Sequence, residues 1–156
     1  MKQNRLGRVL AVIDDEELRH EFEGLLNDTL WKFEPVSSPA QAAHLLGQFP
    51  IGLVIVGRKH WKGVVKETRR LSPSPRVIVV DRLAGDELWL DVLQHGAYDL
   101  LGQPFDRREV LRVLALAWLS WCDERDHWNC VTIESHVKNE ISPRSSPGTA
   151  TFAGMV

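Results

Sequence analysis

Cysteine is nearly missing from this chain: Cys122 and Cys130 are the only two among 156 residues. A small domain stapled by disulfides is therefore excluded, and the gap between the two matches no common zinc spacing. Charge of one sign is lacking too. Lys and Arg number 19 against 21 Asp and Glu, a net charge of −2, so no basic field argues for nucleic acid. Long hydrophobic runs are absent. The most apolar stretch, Val110–Trp121, is interrupted by Arg112 and is too short to span a bilayer. No apolar run follows Met1, so no signal peptide is expected and a cytoplasmic location is. The sequence holds no Gly-rich phosphate loop, no Gly-x-Ser-x-Gly elbow, no helix-turn-helix and no internal repeat. The six histidines, His20, His44, His60, His95, His127 and His136, fall at no ligand spacing and read as surface or capping residues.

What is present is alternation. Arg8–Ile13, Gly52–Val56 and Arg76–Val80 are short, β-branched and almost wholly apolar, as strands buried on both faces must be. Trp31–Val36 is a weaker strand, with Pro35 favouring an edge. Tyr98–Leu101 is a short fifth. Between them lie helical patterns. Leu18, Phe22, Leu25 and Leu26 share one face. Ser38-Pro39-Ala40-Gln41 combines an N-cap serine, a first-turn proline and a capping-box glutamine, followed by Ala42, Leu45, Leu46 and Phe49. Further helices are predicted over Lys62–Leu71, over Asp86–His95 with Gly96 as the stop, and from Asp106 onward, where Val110, Val113, Leu114, Ala117 and Trp121 line one face. Parallel strands joined by right-handed crossovers put helices on both faces of the sheet. The expected fold is α/β, a doubly wound five-stranded parallel sheet of flavodoxin-like type, strand order 2-1-3-4-5. Its ligand edge lies at the carboxyl ends of the strands. That edge would gather Asp14, Asp15, Gly57, Asp81 and the loop Gly102-Gln103-Pro104-Phe105. Beyond Cys122 the pattern lapses; Asn129–Ile133 reads as a short extra strand and Ser142–Gly148 as disordered. The division expected is 5–122 for the domain and 123–156 for an extension.

Three stretches carry a family resemblance: Val9-Leu10-Ala11-Val12-Ile13-Asp14-Asp15-Glu16, Arg76-Val77-Ile78-Val79-Val80, and Gly96-Ala97-Tyr98-Asp99-Leu100-Leu101-Gly102-Gln103-Pro104-Phe105-Asp106. In order and spacing they resemble the receiver domain of two-component response regulators. The resemblance implies an acidic pair that helps hold Mg²⁺ and an aspartate ending strand three that accepts phosphate from a phosphohistidine. It further implies a Thr or Ser ending strand four, a lysine after strand five, and a cis X–Pro peptide at Gln103-Pro104. Asp14 and Asp15 match the acidic pair. The acceptor position falls on Gly57, and no aspartate occurs between Asp28 and Asp81 to replace it. The hydroxyl position falls on Asp81, the lysine position on Gln103 and the aromatic switch position on Leu100. The nucleophile is gone, a like charge is added and the cation is deleted.

These departures predict a degenerate, pseudo-receiver module in a phosphorelay: not an enzyme, independent of phosphorylation, and acting through protein contacts. Alternatives are a receiver phosphorylated on Asp81, or a metal-dependent hydrolase built on Asp14, Asp15 and Asp81. Gathering three carboxylates is costly: two like charges about 4 Å apart repel by on the order of 4 kcal/mol at an effective dielectric near 20. Arg58 and Arg82 folding over the pocket, a Mg²⁺ or Ca²⁺ ion on Asp14 and Asp15, or a proton with a raised pKa would each offset it. Asp14 and Asp15 also suit helix N-capping, and Gly57 a tight turn. Six tryptophans against one tyrosine point to aromatic anchoring. Trp89, Leu111 and Trp118 are the expected interface residues on the face of helix four, strand five and helix five. That face would take a histidine kinase, another signalling protein or a second copy. Packing of Trp128–Ile133 over helix five is the alternative.

Overall fold

The computed structural model describes residues 7–83 and 85–141, with side chains in that range through residue 126. Five β-α units follow one another: β1 Gly7–Val12, α1 Glu16–Leu26, β2 Trp31–Val36, α2 Pro39–Gln48, β3 Leu53–Gly57, α3 Trp61–Thr68, β4 Arg76–Asp81, α4 Asp86–Gln94, β5 Asp99–Gly102 and α5 Arg107–Ile141. The strands are all parallel, in the order β2-β1-β3-β4-β5. This is the doubly wound, flavodoxin-like sheet.

The unbroken apolar strands are explained by two cores. Val9, Ala11, Leu53, Ile55, Ile78, Val80 and Leu101 face α1 and α5. Leu10, Val12, Val54, Val56, Val77, Val79 and Leu100 face α2, α3 and α4. Alternate residues of each central strand thus enter opposite cores, and neither face tolerates a polar side chain. Asp15 caps α1 by accepting from the Leu18 N–H, and Ser38 caps α2 by accepting from that of Gln41. Pro35 lies in edge strand β2, and Gly96 ends the α4 segment with φ +95°. The Gln103–Pro104 peptide is cis, as is Ser72–Pro73.

Several expectations are corrected. Helix α3 spans Trp61–Thr68, shorter at its end than predicted: Thr68 turns its hydroxyl onto the Val65 carbonyl, and the chain leaves the helix before Leu71. Phe49 is not on the inner face of α2 but caps its end, exposed, under the Arg8 guanidinium. Asn129–Ile133 is no strand; α5 continues through it to Ile141. The expected disorder at Ser142–Gly148, the start at residue 5 and the packing of Trp128–Ile133 lie outside the described residues and side chains. Residues through Cys122 group into one compact unit and a second begins at Asp123. Among the described residues no helix is long and apolar enough to cross a membrane.

Within the first unit, α5 is seated by close approach. The ring of Trp121 lies where a β-carbon on Gly52 would stand, 2.6 Å from its nearest atoms. Trp118 does the same to Gly7 and meets the rings of Trp31 and Trp121 edge-on and tilted. Arg76, opening β4, donates to the Ser120 hydroxyl and carbonyl.

Candidate functional site

Strand register sets the site. Val12 pairs with Val56, Gly57 with Val80 and Asp81 with Gly102, so the strand ends finish at one edge. There Asp14, Asp15, Gly57, Arg58, Lys59, His60, Asp81 and Arg82 line a cavity of about 160 Å³.

Gly57 is buried, yet nothing crowds it. A β-carbon placed on it would come no closer than 3.8 Å to an atom beyond its chain neighbours, the Cα of Ile13. Its φ is outside the left-handed region. Neither packing nor backbone conformation demands glycine, so the tight-turn reading does not account for it.

The carboxylates are all engaged. Asp14 Oδ2 lies 3.0 Å from His60 Nε2 and 3.4 Å from Lys59 Nζ. Arg82 donates from Nε to Asp15 Oδ2 at 2.7 Å and from Nη2 to Glu17 Oε1 at 2.9 Å, and Nη2 lies 2.6 Å from Asp15 Oδ2 as an ion pair. The Arg82 hydrogen bonds, with the Leu18 N–H, hold the Asp15 carboxyl below the usual carboxylate range. Glu17 and then Asp15 raise the Arg82 guanidinium in turn. Asp81 accepts from Arg58 Nη1 at 2.9 Å through Oδ2 and from the Arg82 N–H at 2.9 Å through Oδ1. Gln103 donates from Nε2 to Glu21 Oε1 at 2.6 Å, tying the loop after β5 to α1. Pro104 follows it on the surface, and Leu100 is packed in the second core.

Sequence reasoning gathered the acids and placed both arginines at the rim. It missed Lys59, His60, Glu17 and Glu21. From sequence His60 reads as a surface or capping histidine, but its side chain makes no cap bond to α3. Its position three residues after Gly57, in the turn opening α3, was the available signal.

The donor set does not fit Mg²⁺. That ion takes oxygen ligands in near-octahedral array, usually one or two carboxylates with phosphate oxygens and water. Here three carboxylates face three basic side chains, Arg58, Lys59 and Arg82, and a histidine. Position 57 supplies no side-chain oxygen. Among the described residues no group of three or more His, Cys, Asp or Glu could hold a metal ion.

The expected interface residues do not share one face. Trp118 turns toward Gly7 and Trp31 at the β2 side of the sheet, and Leu111, seven residues earlier, packs on the same core. The reason is helical phase: Ser120, held by Arg76 of β4, lies on the opposite flank of α5. Of the three only Trp89 is among the exposed large apolar residues, with Leu90 beside it on α4 and Leu116 and Leu119 on α5.

No family model matches the chain. An NtrX-like response regulator of Rickettsia bellii is 24% identical over 115 residues, 70% of this chain; the chain spans 24% of that relative's length. The signal receiver domain of a Luxo repressor protein from Vibrio parahaemolyticus superposes with TM-score 0.67 at 20% identity, over 76% of this chain and 95% of that one. The receiver domain of a Pseudomonas aeruginosa sensor histidine kinase, with a magnesium ion in its active site cleft, gives TM-score 0.63 at 19% identity, over 72% and 97%. Strand order, helix placement and these superpositions agree: the chain carries the receiver fold of response regulators.

Proposed function

We propose that this chain is a cytoplasmic receiver-like module of a two-component system or phosphorelay. It works without a phosphoryl switch and without catalysis, through contacts with a histidine kinase, another signalling protein or a second copy of itself. The observation that carries this reading is Gly57. The acceptor position of the fold holds no nucleophile, although a β-carbon there would make only ordinary van der Waals contacts. The surroundings support the same reading. Both oxygens of Asp81 already accept hydrogen bonds, and Gln103 brings no positive charge to balance a phosphoryl group. The partner surface is proposed on α4, β5 and α5, where Trp89, Leu90, Leu116 and Leu119 are exposed.

Incubation of the full chain with acetyl phosphate and Mg²⁺, followed by intact mass, tests the reading. The expected mass is unchanged. A stable phosphoryl adduct would overturn it, and loss of that adduct in Asp81→Asn would assign the acceptor to Asp81.

A further inference from the structure

We infer that the Arg82 guanidinium is the resident cation of this site, standing on the acidic pair in place of a divalent ion and closing the site to Mg²⁺. This rests on reading the sheet edge as the receiver site, but not on the absence of phosphorylation.

The first argument is charge. A pocket that attracts a divalent cation carries excess negative charge; here Asp14, Asp15 and Asp81 are matched by Arg58, Lys59 and Arg82. The second is geometry. Two guanidinium nitrogens converge on Asp15 Oδ2, at 2.6 and 2.7 Å, while its Oδ1 accepts from the Leu18 N–H at 3.2 Å. No Asp15 oxygen is left without a donor. An ion entering there would displace a charge-assisted pair and leave Arg82 facing it, like charge against like. The third is connectivity. Arg82 follows β4, and its side chain spans to Asp15 and Glu17 at the start of α1. It therefore joins the β4–α4 loop to the β1–α1 loop, a link that a bound ion would otherwise have to make. Unlike a bound ion, the guanidinium is tethered to its own chain and cannot diffuse away from the site.

Removing Arg82 leaves the site with an unbalanced carboxylate and opens it. Mn²⁺ is the probe, added to the full chain and read by paramagnetic broadening of backbone amide signals. In the wild type, no selective broadening is expected at Asp14, Asp15 and Gly57. In Arg82→Ala, those amides broaden selectively, at a Mn²⁺ concentration at least about tenfold lower than any effect in the wild type, and excess Mg²⁺ reverses it. Arg82→Lys keeps the charge and is expected to stay closed. Selective broadening in the wild type equal to that in Arg82→Ala would overturn the inference. So would an Arg82→Ala chain that gains nothing, or an Arg82→Lys chain that opens as fully as the alanine variant. A wild type that ignores Mn²⁺ yet gains a phosphoryl mass would sink the proposed function and leave this inference standing.

Discussion

Position 57 separates two reasons for a glycine. At Gly52 a tryptophan ring fills the space of a β-carbon; at Gly57 a β-carbon would meet its neighbours at ordinary contact distance, 3.8 Å and beyond. Gly57→Ala is therefore expected to be neutral or to stabilise by about 0.5 kcal/mol, through the lower entropy of the unfolded chain, in urea denaturation. A loss above about 2 kcal/mol would mean that the backbone there needs glycine after all. Asp15 gives a pH prediction. Arg82 holds its folded-state pKa below the ordinary value, so the stabilisation is complete above the unfolded pKa. It is lost as pH falls through the lowered folded value, in the range below about pH 4. Arg82→Ala should return the Asp15 carboxyl toward its ordinary range in an NMR titration and shrink this acid-limb loss. The acids of the site were legible because they end apolar runs. Some partners were less so: the arginines are expected over the pocket, but His60 reaches Asp14 from 46 positions away, and a side chain's reach across loops is set by tertiary placement rather than local pattern.

Strands were the most legible elements. Val9–Val12 and Val77–Val80 are apolar at every position because each strand is buried between two helical layers. Helix ends were less legible. After Trp121 the sequence runs Cys122-Asp123-Glu124-Arg125-Asp126, which breaks the core spacing yet contains no proline or glycine to stop a helix, and α5 continues to Ile141. The inward face of α5 was legible, since Val110, Val113, Leu114, Ala117 and Trp121 are all buried, but its flanks were not, because Trp118 and Leu116 are both apolar and only packing decides which of them meets a neighbour. That packing predicts a contrast with Gly57. In Gly52→Ala the new β-carbon meets the Trp121 ring 2.6 Å away, in a place where the buried indole has little room to yield. A destabilisation of about 1–3 kcal/mol is expected in urea denaturation. Behaviour like that of Gly57→Ala would show that α5 is not seated as described.

At the scale of the whole molecule, the receiver fold is retained, and the proposed function is that fold working without its phosphoryl chemistry. Four loops at one sheet edge are joined by side chains of the chain itself: Lys59 and His60 to Asp14, Arg58 to Asp81, Arg82 to Asp15 and Glu17, Gln103 to Glu21. On the proposed function, such an edge needs neither ion nor phosphoryl group to bring its loops together, and output would fall to standing surfaces. If the face with Trp89 and Leu116 is such a surface, Trp89→Asp moves the light-scattering mass of a dimeric chain toward that of the monomer, or lowers the affinity for a kinase partner by at least about tenfold. Thermal stability should stay within a few degrees, since Trp89 is half exposed. The most direct measurement of the central claim is the amide spectrum of the full chain before and after beryllofluoride and Mg²⁺, a stable mimic of the phosphoryl group. The account predicts superimposable spectra. Saturable shifts at Gly57, Asp81 and Gln103, spreading into α4 and β5, would contradict it.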